Sequence, residues 1–161
     1  MRVLMTGGGT GGHVNPAIAI ADTIKAHIPD AEIAFVGTKR GIENKLVPAA
    51  GYELYHVDVR GFRRSLSPAN IRAAFLALVS PLAAKKIVKK FRPDVVIGTG
   101  GYVSWPLIVA ASRLGIPSAV HESNAVPGLA VRKLVPYVDR IFVNFEVTGK
   151  ALGAPEKTMH V

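Results

Sequence analysis

Cysteine is missing from all 161 residues. That excludes disulfides and thiolate-bound metals, and it fits a reducing cytoplasm. Long apolar runs are missing as well. The longest, Ala73 to Ala84, contains Ser80 and Pro81 and falls short of the ~20 residues a membrane-spanning helix needs. No secretory leader is expected, because glycines follow Met1-Arg2-Val3-Leu4-Met5 before any apolar stretch of useful length. Histidines at metal-ligand spacing are lacking: His13, His27, His56, His121 and His160 are scattered, so no metal site is expected. Acids are scarce, 11 against 20 Lys and Arg, for a net charge of +9. The imbalance is local. Arg60, Arg63, Arg64, Arg72, Lys85, Lys86, Lys89, Lys90 and Arg92 lie between Asp58 and Asp94 with no acid among them. Such a block points to a polyanionic partner: nucleic acid, anionic lipid or a phosphorylated ligand.

Apolar residues make up 49% of the chain, enough for one domain with a sizeable core and too many for disorder. Short apolar runs alternate with helical patterns. Strands are expected near residues 2–6, 32–36, 53–57, 94–98, 118–121 and 140–144, and Val161 closes what reads as a further strand. Helices are expected near 14–28, 42–50, 69–91 with a kink at Pro81, 107–114, within 123–135, and near 148–152. Ser67-Pro68 reads as an N-cap with proline at the first helical position. The strands are continuous apolar runs, as in a parallel sheet covered on both faces. Repeated strand–helix units with short connections give an α/β, doubly wound parallel sheet, which binds ligands at the carboxyl ends of its strands.

Three loops fall at such ends. The first, Thr6-Gly7-Gly8-Gly9-Thr10-Gly11-Gly12-His13, runs from strand to helix. Its glycines let the backbone turn tightly and approach an anion, toward which the helix start directs free N–H groups. Gly7, Gly9 and Gly12 also satisfy the dinucleotide fingerprint, but a dinucleotide site does not call for an imidazole where His13 stands. The second loop, Gly98-Thr99-Gly100-Gly101-Tyr102, repeats the logic and adds a tyrosine able to offer a hydroxyl or a stacking face. The third, His121-Glu122-Ser123-Asn124, offers directional acceptors for sugar hydroxyls. Glu122 is a candidate general base if its pKa is raised. His121 reads as a buried, hydrogen-bonded ring.

Together the loops carry a specific resemblance. Gly8-Gly9-Thr10-Gly11-Gly12-His13 with Pro16, Gly100-Gly101-Tyr102-Val103-Ser104 with Pro106, and His121-Glu122-Ser123-Asn124 with Gly128-Leu129-Ala130 resemble the N-terminal half of the MurG family. These bacterial glycosyltransferases add N-acetylglucosamine to undecaprenyl-pyrophosphoryl-MurNAc-pentapeptide (lipid I) to make lipid II in peptidoglycan synthesis. The resemblance covers essentially the whole chain. It implies one of the two Rossmann-like domains of a GT-B fold: residues 1–161 would bind the acceptor. The domain that binds UDP-GlcNAc would lie outside them, so this half alone would not transfer sugar. It implies an inverting single displacement by the MurNAc 4-hydroxyl, without a cofactor. Gly11, Gly12, Gly100 and Gly101 would cradle the lipid-linked diphosphate. Thr10, Tyr102 and Asn124 would line the acceptor cleft. His13 would be the base or orienting group, with Glu122 its rival.

The basic block then gains a reading as a contact with anionic membrane at the cytoplasmic face of the bacterial plasma membrane. Phe62, Leu66, Leu76 and Val79 interleave with Arg63, Arg64, Arg72, Lys85 and Lys86, and each cation near anionic lipid contributes roughly 1 kcal/mol. Ile71, Phe75, Leu78 and Leu82 follow helical spacing, and at least part of that stripe is expected to face the core. Two other readings compete on the residues alone. An NADP-binding domain would use Lys39-Arg40 for a 2′-phosphate, although the acid that binds the ribose of NAD is not there. A nucleic-acid binder would need aromatic platforms, and the block offers only Phe62, Phe75 and Phe91, so no nucleic-acid partner is expected. Another lipid-acceptor glycosyltransferase of the same superfamily would differ only in acceptor specificity.

Overall fold

Strands buried on both faces pair in parallel, and each return to the sheet needs a crossover, here a helix or a long loop. In the computed structural model, which describes residues 1–61 and 69–161, seven strands obey that rule. They are β1 (Arg2–Thr6), β2 (Glu32–Gly37), β3 (Glu53–His56), β4 (Val95–Gly98), β5 (Ser118–Glu122), β6 (Arg140–Val143) and β7 (Thr158–His160). The helices are α1 (Gly11–His27), α2 (Glu43–Ala49), α3 (Ala69–Phe91), α4 (Ser104–Arg113), α5 (Leu129–Leu134) and α6 (Glu146–Leu152). Strand order is β3-β2-β1-β4-β5-β6-β7, with every neighbouring pair parallel. The doubly wound sheet expected from the sequence is therefore present. Element boundaries moved at three helix starts: α1 begins at Gly11 rather than Val14, α4 at Ser104 and α6 at Glu146. The first shift places His13 inside the opening turn of α1. The expected N-cap at Ser67-Pro68 lies outside the described residues.

The chain winds from β1 outward to β3, and α3 then carries it back to β4 on the other side of β1. Strand order reverses between β1 and β4, so their carboxyl ends diverge and open a crevice. The first and second glycine loops leave the sheet at that point. Side-chain alternation along β1 divides the core into two layers. Leu4 packs with Ala84 and Val88 of α3 and Leu107 and Ile108 of α4, while Val3 and Met5 pack with Val14, Ala17 and Ala21 of α1 and Val47 of α2. Burial of each of the larger side chains among these contributes about 1.5–3 kcal/mol, which holds both walls of the crevice to one sheet.

Helix α3 corrects one expectation. Ile71, Phe75, Leu78 and Leu82 are 75%, 62%, 76% and 61% exposed. The buried line is instead Ala73, Ser80, Ala84, Val88 and Phe91. Both lines have helical spacing, so periodicity alone does not choose between them. Small residues face inward because α3 lies close against α4. At Pro81 the helix has no N–H for the Ala77 carbonyl, four residues back. The Trp105 indole of α4 donates to that carbonyl at 2.9 Å. Leu76 and Val79 are half-buried, Arg72 and Lys86 exposed, and Lys85 half-buried. Phe62, Arg63, Arg64 and Leu66 lie outside the described residues.

Candidate active site

The two glycine loops interlock at the crevice. Thr99 N–H donates to the Thr6 carbonyl at 2.9 Å, and the Thr99 hydroxyl donates to the His13 carbonyl at 2.6 Å. The His13 ring lies beneath the second loop, with Nδ1 3.0 Å from the Thr99 carbonyl oxygen. A carbonyl only accepts, so Nδ1 carries a proton, and in that tautomer the lone pair is at Nε2. Gly100 and Gly101 make room for this ring. A Cβ at Gly100 would lie 2.9 Å from His13 Nδ1, and one at Gly101 would strike the Gly8 carbonyl oxygen. Both also have positive φ, 95° and 75°, which side-chain-bearing residues rarely adopt.

Above the ring, Thr10 has extended backbone and caps α1. Its carbonyl accepts from His13 N–H and Val14 N–H at 3.1 and 3.2 Å. The N–H groups of Gly11 and Gly12 precede the first helical hydrogen bonds, so they point out of the helix start, where an anion is favoured. The half-buried Tyr102 covers the other side of the loop. Its ring edge would lie 2.9 Å from a Cβ at Gly9 and 3.0 Å from one at Gly61. Histidine, glycine N–H groups and tyrosine thus converge on one crevice, although they come from two loops distant in sequence.

The third loop follows β5, beside β4, on the same edge of the sheet. Glu122 is 2% exposed, and both carboxylate oxygens are occupied. Oε1 accepts from Asn124 N–H at 3.0 Å and Asn124 Nδ2 at 2.6 Å, and Oε2 accepts from Gly128 N–H at 2.8 Å. This carboxylate staples residues 122–128 to the start of α5. Asn124 is exposed, and its carbonyl accepts from the Thr148 hydroxyl of α6 at 2.7 Å. Val131 of α5 approaches the Gly100 position, which joins this corner to the first two loops. His121 departs from its expectation. It is half-buried, and its buried Nδ1 has no hydrogen-bond partner among the described residues.

Two residues escaped the sequence reading. Thr99 was seen only as part of a glycine turn, yet it links the loops. Glu43 stood near no motif, because an acid in the first turn of a helix ordinarily signals only a favourable dipole contact. It is 1% exposed and reaches Gly9 N–H at 3.3 Å. Glu43 is also the first acid after β2 in the chain, and its carboxylate is buried rather than open to a nucleotide ribose. Lys39 and Arg40 are exposed. Among the described residues no group of three or more His, Asp or Glu forms a metal-binding cluster. A cavity of 460 Å³ between α6 and β7 shares no residue with the glycine loops. No described helix is long and apolar enough to cross a membrane.

Residues 3–143 match the glycosyltransferase family 28 N-terminal domain. Among curated proteins, the chain is 52% identical over 145 residues to a Lactococcus lactis subsp. cremoris UDP-N-acetylglucosamine–N-acetylmuramyl-(pentapeptide) pyrophosphoryl-undecaprenol N-acetylglucosamine transferase. That match covers 90% of this chain and 41% of the relative. A Limosilactobacillus fermentum protein of the same description is 46% identical over 159 residues, covering 99% of this chain and 43% of the relative. The chain therefore spans about two fifths of the length of the curated relatives it matches. Among solved structures, Acinetobacter baumannii MurG superposes with a TM-score of 0.79 at 34% identity, covering 91% of this chain and 42% of that one. A Methanocaldococcus jannaschii UDP-GlcNAc 2-epimerase shares the fold, with a TM-score of 0.73 at 13% identity, 100% of this chain and 46% of that one being covered.

Proposed function

Given that this chain belongs to glycosyltransferase family 28 through its N-terminal domain, we propose that it is the acceptor-binding half of an N-acetylglucosaminyltransferase of peptidoglycan synthesis. The acceptor is lipid I, the product is lipid II, and UDP-GlcNAc binds chiefly to the second domain of the GT-B pair. One observation carries this reading: two glycine loops meet at the β1/β4 reversal around a histidine whose Nδ1 is held by the Thr99 carbonyl, so that Nε2 is the ring nitrogen left to act on a ligand. The acceptor diphosphate sits against the N–H groups of Gly11 and Gly12, with Gly100 and Gly101 allowing close approach. Thr10, Tyr102 and Asn124 line the sugar. The MurNAc 4-hydroxyl attacks the anomeric carbon of UDP-GlcNAc, His13 Nε2 takes its proton as the new bond forms, and UDP leaves with inversion. Fixing the tautomer through the Thr99 carbonyl aims the imidazole and spares its reorganisation during transfer.

A lipid-linked acceptor requires contact with a membrane surface. The exposed stripe Ile71, Phe75, Leu78 and Leu82 on α3, with Arg72 and Lys86 beside it, supplies an apolar face with cationic neighbours. Such a face suits peripheral attachment to anionic lipid at the cytoplasmic side of the plasma membrane. Activity tests the catalytic assignment. In the two-domain enzyme that carries this half, His13→Ala lowers kcat by about 10²–10⁴-fold, with the circular dichroism of the native fold retained. A folded His13→Ala enzyme with near-normal kcat contradicts the role given to His13.

A further inference from the structure

We propose that Glu43 is the positioning residue of the first glycine loop: held by Thr38, its carboxylate sets Gly8-Gly9 so that the N–H groups of Gly11 and Gly12 face the acceptor diphosphate. The inference rests on the acceptor reading above. Its observations are independent of His13. Glu43 is 1% exposed, although it stands in the first turn of a seven-residue helix whose start needs no buried charge. Oε1 accepts from Thr38 N–H at 2.9 Å and from the Thr38 hydroxyl at 2.8 Å, and Oε2 accepts from Gly9 N–H at 3.3 Å. An ionised carboxylate withdrawn from water persists only when donors surround it, and here they come from Thr38, directly after β2, and from Gly9 of the glycine loop.

Backbone packing around the carboxylate is equally particular. A Cβ at Gly8 would lie 3.0 Å from the Glu43 carboxyl carbon and from both its oxygens. Gly37 and Gly41 enclose the same side chain. Gly8, Gly37 and Gly41 are thus accounted for by a buried carboxylate. Gly9, at φ 84°, is clamped between Glu43 on its N–H and the Tyr102 ring on its other side. Thr10 leaves this clamp in the extended conformation that caps α1. Rotation of the Gly9 peptide would be passed directly to Thr10, and so to the Gly11 and Gly12 N–H groups at the helix start.

Charge and position predict opposite results for one substitution. Glu43→Gln removes a negative charge near the anion site, which by charge alone would tighten diphosphate binding. It keeps a carbonyl acceptor for Thr38 but puts an amide, with its own N–H groups, toward Gly9 N–H. Binding of farnesyl diphosphate to the 161-residue chain is followed through the Gly11 and Gly12 amide resonances, with thermal denaturation measured in parallel. The positioning role predicts a folded Glu43→Gln variant that binds about 10-fold or more weakly than wild type. Equal or tighter binding by the folded variant overturns the proposal and leaves the acceptor reading standing. Failure of the wild type to bind overturns both. Should Glu43→Gln fail to fold, Thr38→Val keeps the carboxylate and removes one of its anchors. A displaced Gly9 amide resonance with weakened binding supports the proposal, and a displaced resonance with unchanged binding overturns it.

Discussion

Two buried carboxylates frame the site, and the oxygens of both are engaged by hydrogen bonds. Glu122 accepts three hydrogen bonds from Asn124 and Gly128. Replacing it by Gln sets an amide N–H donor against a donor N–H, which costs about 1–3 kcal/mol for a buried group left unpaired. Glu122→Gln should therefore lower the melting temperature more than His13→Ala does. A Glu122→Gln protein of unchanged melting temperature that has lost transfer would make Glu122 the base. For Glu43, burial alone would raise the pKa. The Thr38 N–H, its own backbone N–H, the Thr38 hydroxyl and the Gly9 N–H outweigh burial and hold it below the ordinary 4.5. A lowered pKa means that its contribution to stability is present above pH 4.5 and is lost as pH falls through the folded value. Tyr52 behaves in the opposite way. Burial first, then its hydrogen bond to Asp22, pushes it from 10.0 up to about 12. Its contribution is present below pH 10 and is lost as pH rises toward 12. Melting temperature measured against pH should show both limbs, and Tyr52→Phe should flatten the alkaline one. Gly101→Ala is the steric counterpart. A positive φ and a collision with the Gly8 carbonyl should cost about 1–3 kcal/mol and displace the His13 ring, visible as a shift of its imidazole resonances.

Elements were more legible in the sequence than the contacts between them. The strands read correctly because parallel strands buried on both faces leave continuous apolar runs such as Val95-Val96-Ile97. The loops of the site were legible for a similar reason, since glycine clusters at strand ends have few other uses. What could not be read was pairing across long separations. Glu43 and Gly9 are 34 residues apart and His13 and Thr99 are 86 apart, and no local pattern announces either contact. Helix α3 shows a second limit. Its large apolar stripe and its small-residue stripe have the same period, and packing against α4, where Trp105 donates to the Ala77 carbonyl, accompanies burial of the small-residue stripe. The exposed stripe gives the prediction for this scale. Leu78→Glu removes apolar surface from a position 76% exposed, so melting temperature should hold while sedimentation with cardiolipin vesicles falls. Binding by the unaltered chain should weaken with salt, because screening acts over about 8 Å at physiological ionic strength. Unchanged sedimentation of Leu78→Glu would move the membrane contact away from α3.

In the proposed two-domain enzyme, this domain would hold one ligand and a second domain the other. The sheet brings the β1 and β4 loops together, Thr99 fixes the His13 ring between them, and α3 presents its apolar stripe to solvent. Related folds are found in proteins acting on UDP-GlcNAc itself, such as the Methanocaldococcus jannaschii epimerase, so fold alone does not choose between acceptor and donor. Choosing between them is the most direct test of the central claim. The amide resonances of Gly11, Gly12, Gly100 and Gly101 should be titrated in the 161-residue chain, once with a water-soluble lipid I analogue and once with UDP-GlcNAc. An acceptor role predicts saturable shifts at all four glycines with the lipid I analogue and no micromolar binding of UDP-GlcNAc. Micromolar binding of UDP-GlcNAc at these glycines, with no response to the lipid I analogue, would contradict it.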